Sequence, residues 1–325
     1  MPKLALMPSG IKAHVPARSC AGNDSVRGEC NGWSEKAARR NDLFLRSVEF
    51  TKLNGFGYAC SLTFGHCPPD HEAMRNVIIA FIQRMRRLGM IRMHWVVEWQ
   101  RRGVPHLHCV VFFPTRHMWC AFNKWYLTSG ETIIAEHWLA VASVYGSKSE
   151  GQHVKPVTHI QGWFGYLAKH GARGAFHYQR MKGTLPDGWQ KTGRMWGKSG
   201  EWNTTQTDHE ISHETFYAMR RFMRRWLVDQ GQRSLKALTR SGDVHKIAEA
   251  RKRLTFLRRL YRPTIKRRDG VPEHERIQLT RNIGRVLPIS EWCPPEIILS
   301  WLTSTCRASE WVDPATGEIL PYWEW

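Results

Sequence analysis

From Tyr58 to Phe64 the chain is apolar and β-prone, and after Pro68-Pro69 the positions Met74, Val77, Ile78, Phe81, Ile82, Met85 and Leu88 recur at helical spacing. The pattern predicts a strand followed by an amphipathic helix that ends at Gly89. Residues 91–99 and 106–113 both read as strands, and Arg101-Arg102-Gly103 between them supplies a turn, so the pair predicts an antiparallel hairpin. Two amphipathic stretches, 117–128 and 131–145, read as helices. Residues 154–160 read as a further strand, and 163–170 as a short helix closed by Gly171. The predicted order is therefore β, α, β, β, helices, β, α.

Outside this core the texture changes. Residues 1–45 mix Gly, Pro, Ser and charges without sustained periodicity and read as a flexible N-terminal arm. A central domain is expected over 46–205, a basic and mainly helical region over 206–290, and a tail over 291–325 whose last eighteen residues contain no Lys or Arg. Residues 214–268 carry seventeen Lys/Arg against four Asp/Glu, most of the chain's net charge of +20. Within them Phe216, Met219, Met223, Trp226, Leu254, Leu257, Leu260 and Tyr261 form apolar stripes. Arg220, Arg221, Arg224, Arg225, Arg258 and Arg259 fall mostly off those stripes. A solvated helix face normally alternates signs and this one hardly does, so these six arginines are expected to meet nucleic-acid phosphates.

Composition narrows the class. With 325 residues, 42% hydrophobic and 23% charged, the chain is neither a small scaffold nor a disordered one. The positive balance favours a polyanion such as nucleic acid ahead of an anionic membrane surface. Eight cysteines include no Cys-x-x-Cys pair, which argues against a zinc ribbon or redox dithiol and for reduced thiols. Proline interrupts the first eight residues and no run of 18 apolar residues occurs, so the expected location is the cytoplasm, with no membrane partner.

His106-Leu107-His108 lies in the second predicted hairpin strand, where alternation sends both imidazoles to one face. About one such pair is expected by chance in so histidine-rich a chain. Glu98 adds weight, because pairing of residue 99 with residue 105 turns its carboxylate to the same side. Two imidazoles and a carboxylate with open positions suit Mg²⁺ or Mn²⁺ acting on a phosphodiester. His94 shares that face as a supporting residue or a plain core histidine. Tyr166-Leu167-Ala168-Lys169 places a phenol and an ammonium on one side of a helix, where they can meet one phosphate.

Leu62-Thr63-Phe64, the twelve residues from Val97 to His108, and Tyr166 to Lys169 together resemble the three ordered motifs of the HUH superfamily of rolling-circle replication initiators and relatives. The middle block is similar to the Glu-aromatic-Gln-basic-Arg-Gly-x-Pro-His-x-His segment of prokaryotic initiators and Helitron transposases. The likeness extends to Arg194-Met195-Trp196-Gly197. It implies an α+β fold, a five-stranded antiparallel sheet flanked by helices, with the histidines on a central strand and the tyrosine on a helix facing them. It further implies that Glu98, His106 and His108 hold the metal, Tyr166 cuts one strand of single-stranded DNA at a replication origin, and Lys169 assists. Members keep the 5′ phosphate on tyrosine, leave a 3′ hydroxyl to prime synthesis, and rejoin the strand later. Host helicase and polymerase are then further partners.

The chain departs from two-tyrosine members, which repeat the motif, because His170 stands where the second tyrosine falls and Arg173 follows it. A second subunit or water then has to serve the second step, since Tyr178 lies too far along the chain. Two other functions are readable. His209-Glu210-Ile211-Ser212-His213 has zinc-protease spacing, with Asp208 as the expected N-cap of its helix, though Phe216 replaces the continuing glycine. A nonenzymatic DNA-binding regulator would need only the charge. Gly193 to Ser199 imitates a phosphate-binding loop with three residues between glycines where four are needed, which rejects an ATPase.

Overall fold

The computed structural model describes residues 1–16, 33–122, 124–158, 185–260, 289–305, 311–312 and 319–320. Its elements are β1 (Lys3–Met7), β2 (Gly10–His14), α1 (Glu35–Ser47), β3 (Phe56–Thr63), α2 (His71–Arg87), β4 (Arg92–Trp99), β5 (Pro105–Phe113), β6 (His117–Phe122), β7 (Lys124–Ser129), α3 (Gly130–Ala142), β8 (His153–Pro156), β9 (Trp196–Gly200), β10 (Thr207–Glu210), α4 (His213–Ser241), α5 (Val244–Arg259), β11 (Ile289–Glu291) and α6 (Pro295–Thr305). They fall into two compact units, Ala21–Thr205 and Met1–Cys20 with Gln206–Trp325. No helix among the described residues is long and apolar enough to cross a membrane.

The first unit is α+β, built on a five-stranded antiparallel sheet in the order β8-β3-β5-β4-β9. Every residue of β4 and β5 is buried, as befits central strands covered on both faces. Met93, Trp95, Val97, Leu107, Cys109 and Val111 join Met74, Val77, Ile78 and Phe81 of α2 and Ile133, Ile134 and Trp138 of α3 in one core. Helix α2 starts where the Asp70 carboxylate accepts from Ala73 N (2.8 Å) and ends at Gly89, whose φ of 85° few other residues adopt without cost. The alternate side chains of β4 and β5 point to the other face. There α1 packs, with Asn41 bonded to His94 and Phe44 stacked on it at 5.5 Å.

Two sequence expectations change. The stretch 117–128 is the hairpin of β6 and β7 and not a helix. Trp119, Phe122, Trp125, Tyr126 and Thr128 favour a pleated strand, and that preference outweighs the amphipathic periodicity. Within the span 1–45, expected as a loose arm, residues 1–16 contain β1 and β2 and residues 35–45 belong to α1. The alternations, Leu4/Leu6 and Ile11/Ala13, are too short to stand out, and the partners that complete their sheet, β10 and β11, lie some two hundred residues or more away. Of the expected strand over 154–160, residues 154–156 lie in β8, which ends at Pro156, while residues 159–160 and the expected helix 163–170 lie outside the described residues.

In the second unit the order is β10-β1-β2-β11, and Leu4, Leu6, Ile11 and Ala13 share a core with Phe216, Met219 and Met223 of α4. Helices α4 and α5 form an antiparallel hairpin that turns at Gly242, φ 75°, with Asp243 capping α5. Gly231 is the point of close approach, because a Cβ there would stand 3.1 Å from Leu254 and 3.2 Å from Leu257. Arg220 is a further correction: it is buried on the apolar side of α4, its guanidinium 5.8 Å from the Phe216 ring. Arg221, Arg225, Arg258 and Arg259 are exposed and Arg224 is half-buried.

Candidate metal centre

The β4–β5 hairpin turns through Arg101-Arg102-Gly103, with Gln100 N bonded to Val104 O (2.9 Å) and Gly103, φ 75°, donating to Gln100 O (3.0 Å). This short loop fixes the register: Trp99 faces Pro105, Glu98 faces His106, and Val96 faces His108. Glu98, His106 and His108 therefore emerge on one face, opposite the core packed under α2 and α3.

One ligand atom from each lies within 4.8 Å of the others, the single such group of three His, Cys, Asp or Glu among the described residues. The two Nε2 atoms are 2.6 Å apart and the rings meet edge to face at 4.4 Å. His108 Nε2 is 3.9 Å from Glu98 Oε2. Exposure is 0% for Glu98, 7% for His106 and 6% for His108. A carboxylate so deeply buried calls for a compensating positive charge, and two facing imidazole nitrogens need a proton or cation between their lone pairs. The donor set fits a divalent cation with nitrogen and oxygen ligands.

Ser61 of β3 stands opposite His108, and its Oγ is 2.7 Å from His108 Nδ1. If the Nδ1 proton is donated to Ser61, the Nε2 lone pair is left for the cluster. Sequence reading missed Ser61, which immediately precedes Leu62-Thr63-Phe64. Only the register of β3 against β5 reveals it. Ser61→Ala is expected to weaken Mn²⁺ affinity about 10–100-fold, while Ser61→Thr retains it. Mn²⁺ titration followed by electron paramagnetic resonance measures the change, with the melting temperature as the control for folding.

In the block Leu62-Thr63-Phe64, Leu62 and Thr63 end β3 opposite Leu107 and His106 of β5, and Leu62 and Phe64 are buried in the core. Thr63 O accepts from Trp138 Nε1 (3.2 Å), Ser147 Oγ (2.9 Å) and Gln152 Nε2 (3.2 Å). Arg102 donates to Phe64 O (2.6 Å) and Gly65 O (2.7 Å), tying the hairpin turn to the end of β3.

His94 faces the same side of β4 but belongs to the packing under α1. It is fully buried, and its Nε2 donates to Asn41 Oδ1 at 2.7 Å. Burial, reinforced by the Lys198 charge, pushes its pKa down to about 3. An unfolded imidazole takes its proton near pH 6.5, so below that pH the unfolded chain binds a proton that the folded chain refuses. Stability from this group is complete above about pH 6.5 and falls as pH drops toward about 3. Urea midpoints measured from pH 7 to pH 4 are expected to drop less for His94→Gln than for the unsubstituted protein.

The remaining candidates separate. Tyr166, Lys169, His170, Arg173 and Tyr178 lie outside the described residues. The zinc-protease spacing is not on one helix: His209 and Glu210 are in β10, and α4 begins only after Ser212, whose Oγ accepts from Thr215 N at 3.0 Å. Ser212, not Asp208, is the N-cap, because Asp208 is held in the β10–β1 ladder. The imitation phosphate loop continues into β9, an edge strand on β4, where a phosphate loop requires a helix.

The family described as Replication-associated protein ORF2/G2P matches residues 57–173. Replication-associated protein G2P of Pseudomonas phage Pf3 is 38% identical across 85% of this chain and 86% of its own length. A Xylella fastidiosa (strain 9a5c) protein that carries a replication-protein name is 40% identical across 78% of this chain and 87% of its own. No solved structure matches the chain. The hairpin that bears Glu98, His106 and His108 falls inside the matched segment, and with likeness to the phage protein running over most of both sequences, the chain belongs to the G2P/ORF2 family of replication-associated proteins.

Proposed function

We propose that the protein is an HUH-type initiator of rolling-circle replication that nicks and rejoins single-stranded DNA at an origin through a tyrosine ester. The observation that carries the reading is the convergence of Glu98, His106 and His108 at one buried point of the β4–β5 hairpin. The replication-associated names of its relatives support the same reading.

Glu98, His106 and His108 would hold Mg²⁺ or Mn²⁺, which when bound would supply Lewis-acid polarisation of a phosphodiester oxygen. Ser61 holds the His108 ring in the tautomer that leaves Nε2 available. The Tyr166 hydroxyl attacks phosphorus, giving up its proton. The bond from phosphorus to the 3′ oxygen breaks, that oxygen takes a proton, and the 5′ phosphate stays on the tyrosine. Lys169, three residues on in the sequence, stabilises charge on the phenolate or the phosphorane. The free 3′ hydroxyl primes a host polymerase, and rejoining reverses the attack. The second cleavage falls to water or a second subunit, because residue 170 is histidine. With no phosphate loop in the 193–199 segment, unwinding is assigned to a host helicase.

In this reading the nicking domain is the unit Ala21–Thr205, which adds α1 to the expected 46–205, and the basic region 206–290 supplies affinity; of the expected tail 291–325, Cys293 and Ile298 are buried in the core of the second unit. Arg221, Arg224, Arg225, Arg258 and Arg259 are the phosphate contacts, and Arg220 is withdrawn to a packing role. Replacing Arg221, Arg224 and Arg225 together with Gln is expected to weaken single-strand binding and flatten the slope of log K against log salt by about 2. Cleavage of a saturating short oligonucleotide should survive. An unchanged slope returns these arginines to a solvated face.

Incubating the protein with a labelled single-stranded origin oligonucleotide, with and without Mg²⁺ or Mn²⁺, tests the function as a whole. Metal-dependent cleavage supports it. Tight binding without cleavage in either metal supports the nonenzymatic regulator in its place.

A further inference from the structure

Phe256 is 62% exposed in α5. Residues three and four positions away on a helix are its surface neighbours, and here these include Lys252, Arg253 and Arg259, all exposed. The buried stripe of α5, Leu254 and Leu257, packs toward Gly231 of α4, so Phe256 is turned away from the hairpin's own core. Elsewhere on the hairpin cations are neutralised locally, Arg233 by Asp229 (2.9 Å) and Lys246 by Asp243 (2.7 Å). Lys252, Arg253 and Arg259 form no ion pair among the described residues, and Glu249 is the acidic residue of that face, two turns before Phe256.

An apolar ring set among three cations that outnumber the one carboxylate of their face, Glu249, asks for a ligand that brings both a flat π-surface and negative charge. A duplex presents phosphates but keeps its base faces stacked inside. A single strand presents a phosphate at every nucleotide and leaves its bases free to stack on an aromatic ring. We propose that the outer face of α5 is a single-strand-binding surface, on which a base stacks on Phe256 while neighbouring phosphates pair with Lys252, Arg253 and Arg259. The proposal rests on the nucleic-acid reading of the basic region and adds what that charge cannot supply, a preference for unpaired over paired DNA.

The test uses the full chain and fluorescence anisotropy with a labelled oligothymidylate and a duplex of equal length, in chelator so that neither is cut. Phe256→Ala is expected to lower single-strand affinity about 5- to 150-fold, with the salt slope and duplex affinity unchanged. Phe256→Trp is expected to restore binding and Phe256→Leu is not, which separates stacking from simple apolar burial. Equal single-strand affinity for Phe256→Ala and the unsubstituted protein overturns the proposal, as does an equal loss on the duplex. A change of oligomeric state on sedimentation, with DNA affinity intact, overturns it in favour of a protein partner. The wider reading fails separately: binding by the unsubstituted protein that does not depend on salt removes the nucleic-acid role of the basic region itself.

Discussion

Alanine at His106 or at His108 is expected to lower single-strand nicking by about 10²–10³-fold and to abolish specific Mn²⁺ binding. Polarising a phosphodiester oxygen is worth several kcal/mol in the transition state, and each 1.36 kcal/mol is tenfold in rate. Either substitution leaves two ligands, too few to hold a labile divalent ion at working concentrations. The two imidazoles are not equivalent. His108 is tied through Nδ1 to Ser61 and lies 3.9 Å from Glu98, whereas His106 faces Glu98 across the strand pair. His108→Ala therefore also removes the partner of Ser61. Parallel melting curves distinguish lost metal from lost fold, and nicking that persists undiminished in excess chelator contradicts the metal role outright.

Tyr166→Phe is expected to eliminate the covalent adduct and cleavage together while leaving DNA affinity unchanged. Only the nucleophilic oxygen is deleted, and the aromatic ring remains. Lys169→Ala should slow the same step without removing it, since a cation beside the phosphorane stabilises charge that Tyr166 has already created. Gel-shift affinity and adduct yield, measured on the same oligonucleotide, separate the two effects.

The central strands were legible because alternation, a three-residue turn and the pairing of residues 99 and 105 leave a single register, and that register alone places Glu98 beside His106. Ser61 was not legible, because its role depends on how β3 lies against β5, a pairing between segments nearly fifty residues apart. Arg220 was misread. It stands four residues after Phe216 and three before Met223, so it shares their side of α4, and it is buried there with its guanidinium against the Phe216 ring. The stretch 117–128 satisfied helical spacing while its aromatic and β-branched content preferred a hairpin, a conflict that periodicity alone does not resolve. The roles of Tyr166 and Lys169 come from resemblance and chemistry, as the described residues do not include them.

The covalent bond is the most direct test. After incubation with a single-stranded origin oligonucleotide and Mn²⁺, the denatured protein is digested and its DNA-linked peptide sequenced by mass spectrometry. The expected product is a 5′-phosphate ester on Tyr166, released together with a fragment whose 3′ hydroxyl a polymerase extends. Cleavage that leaves no protein-bound DNA, or an ester on Tyr178 or any other residue, contradicts the tyrosine mechanism.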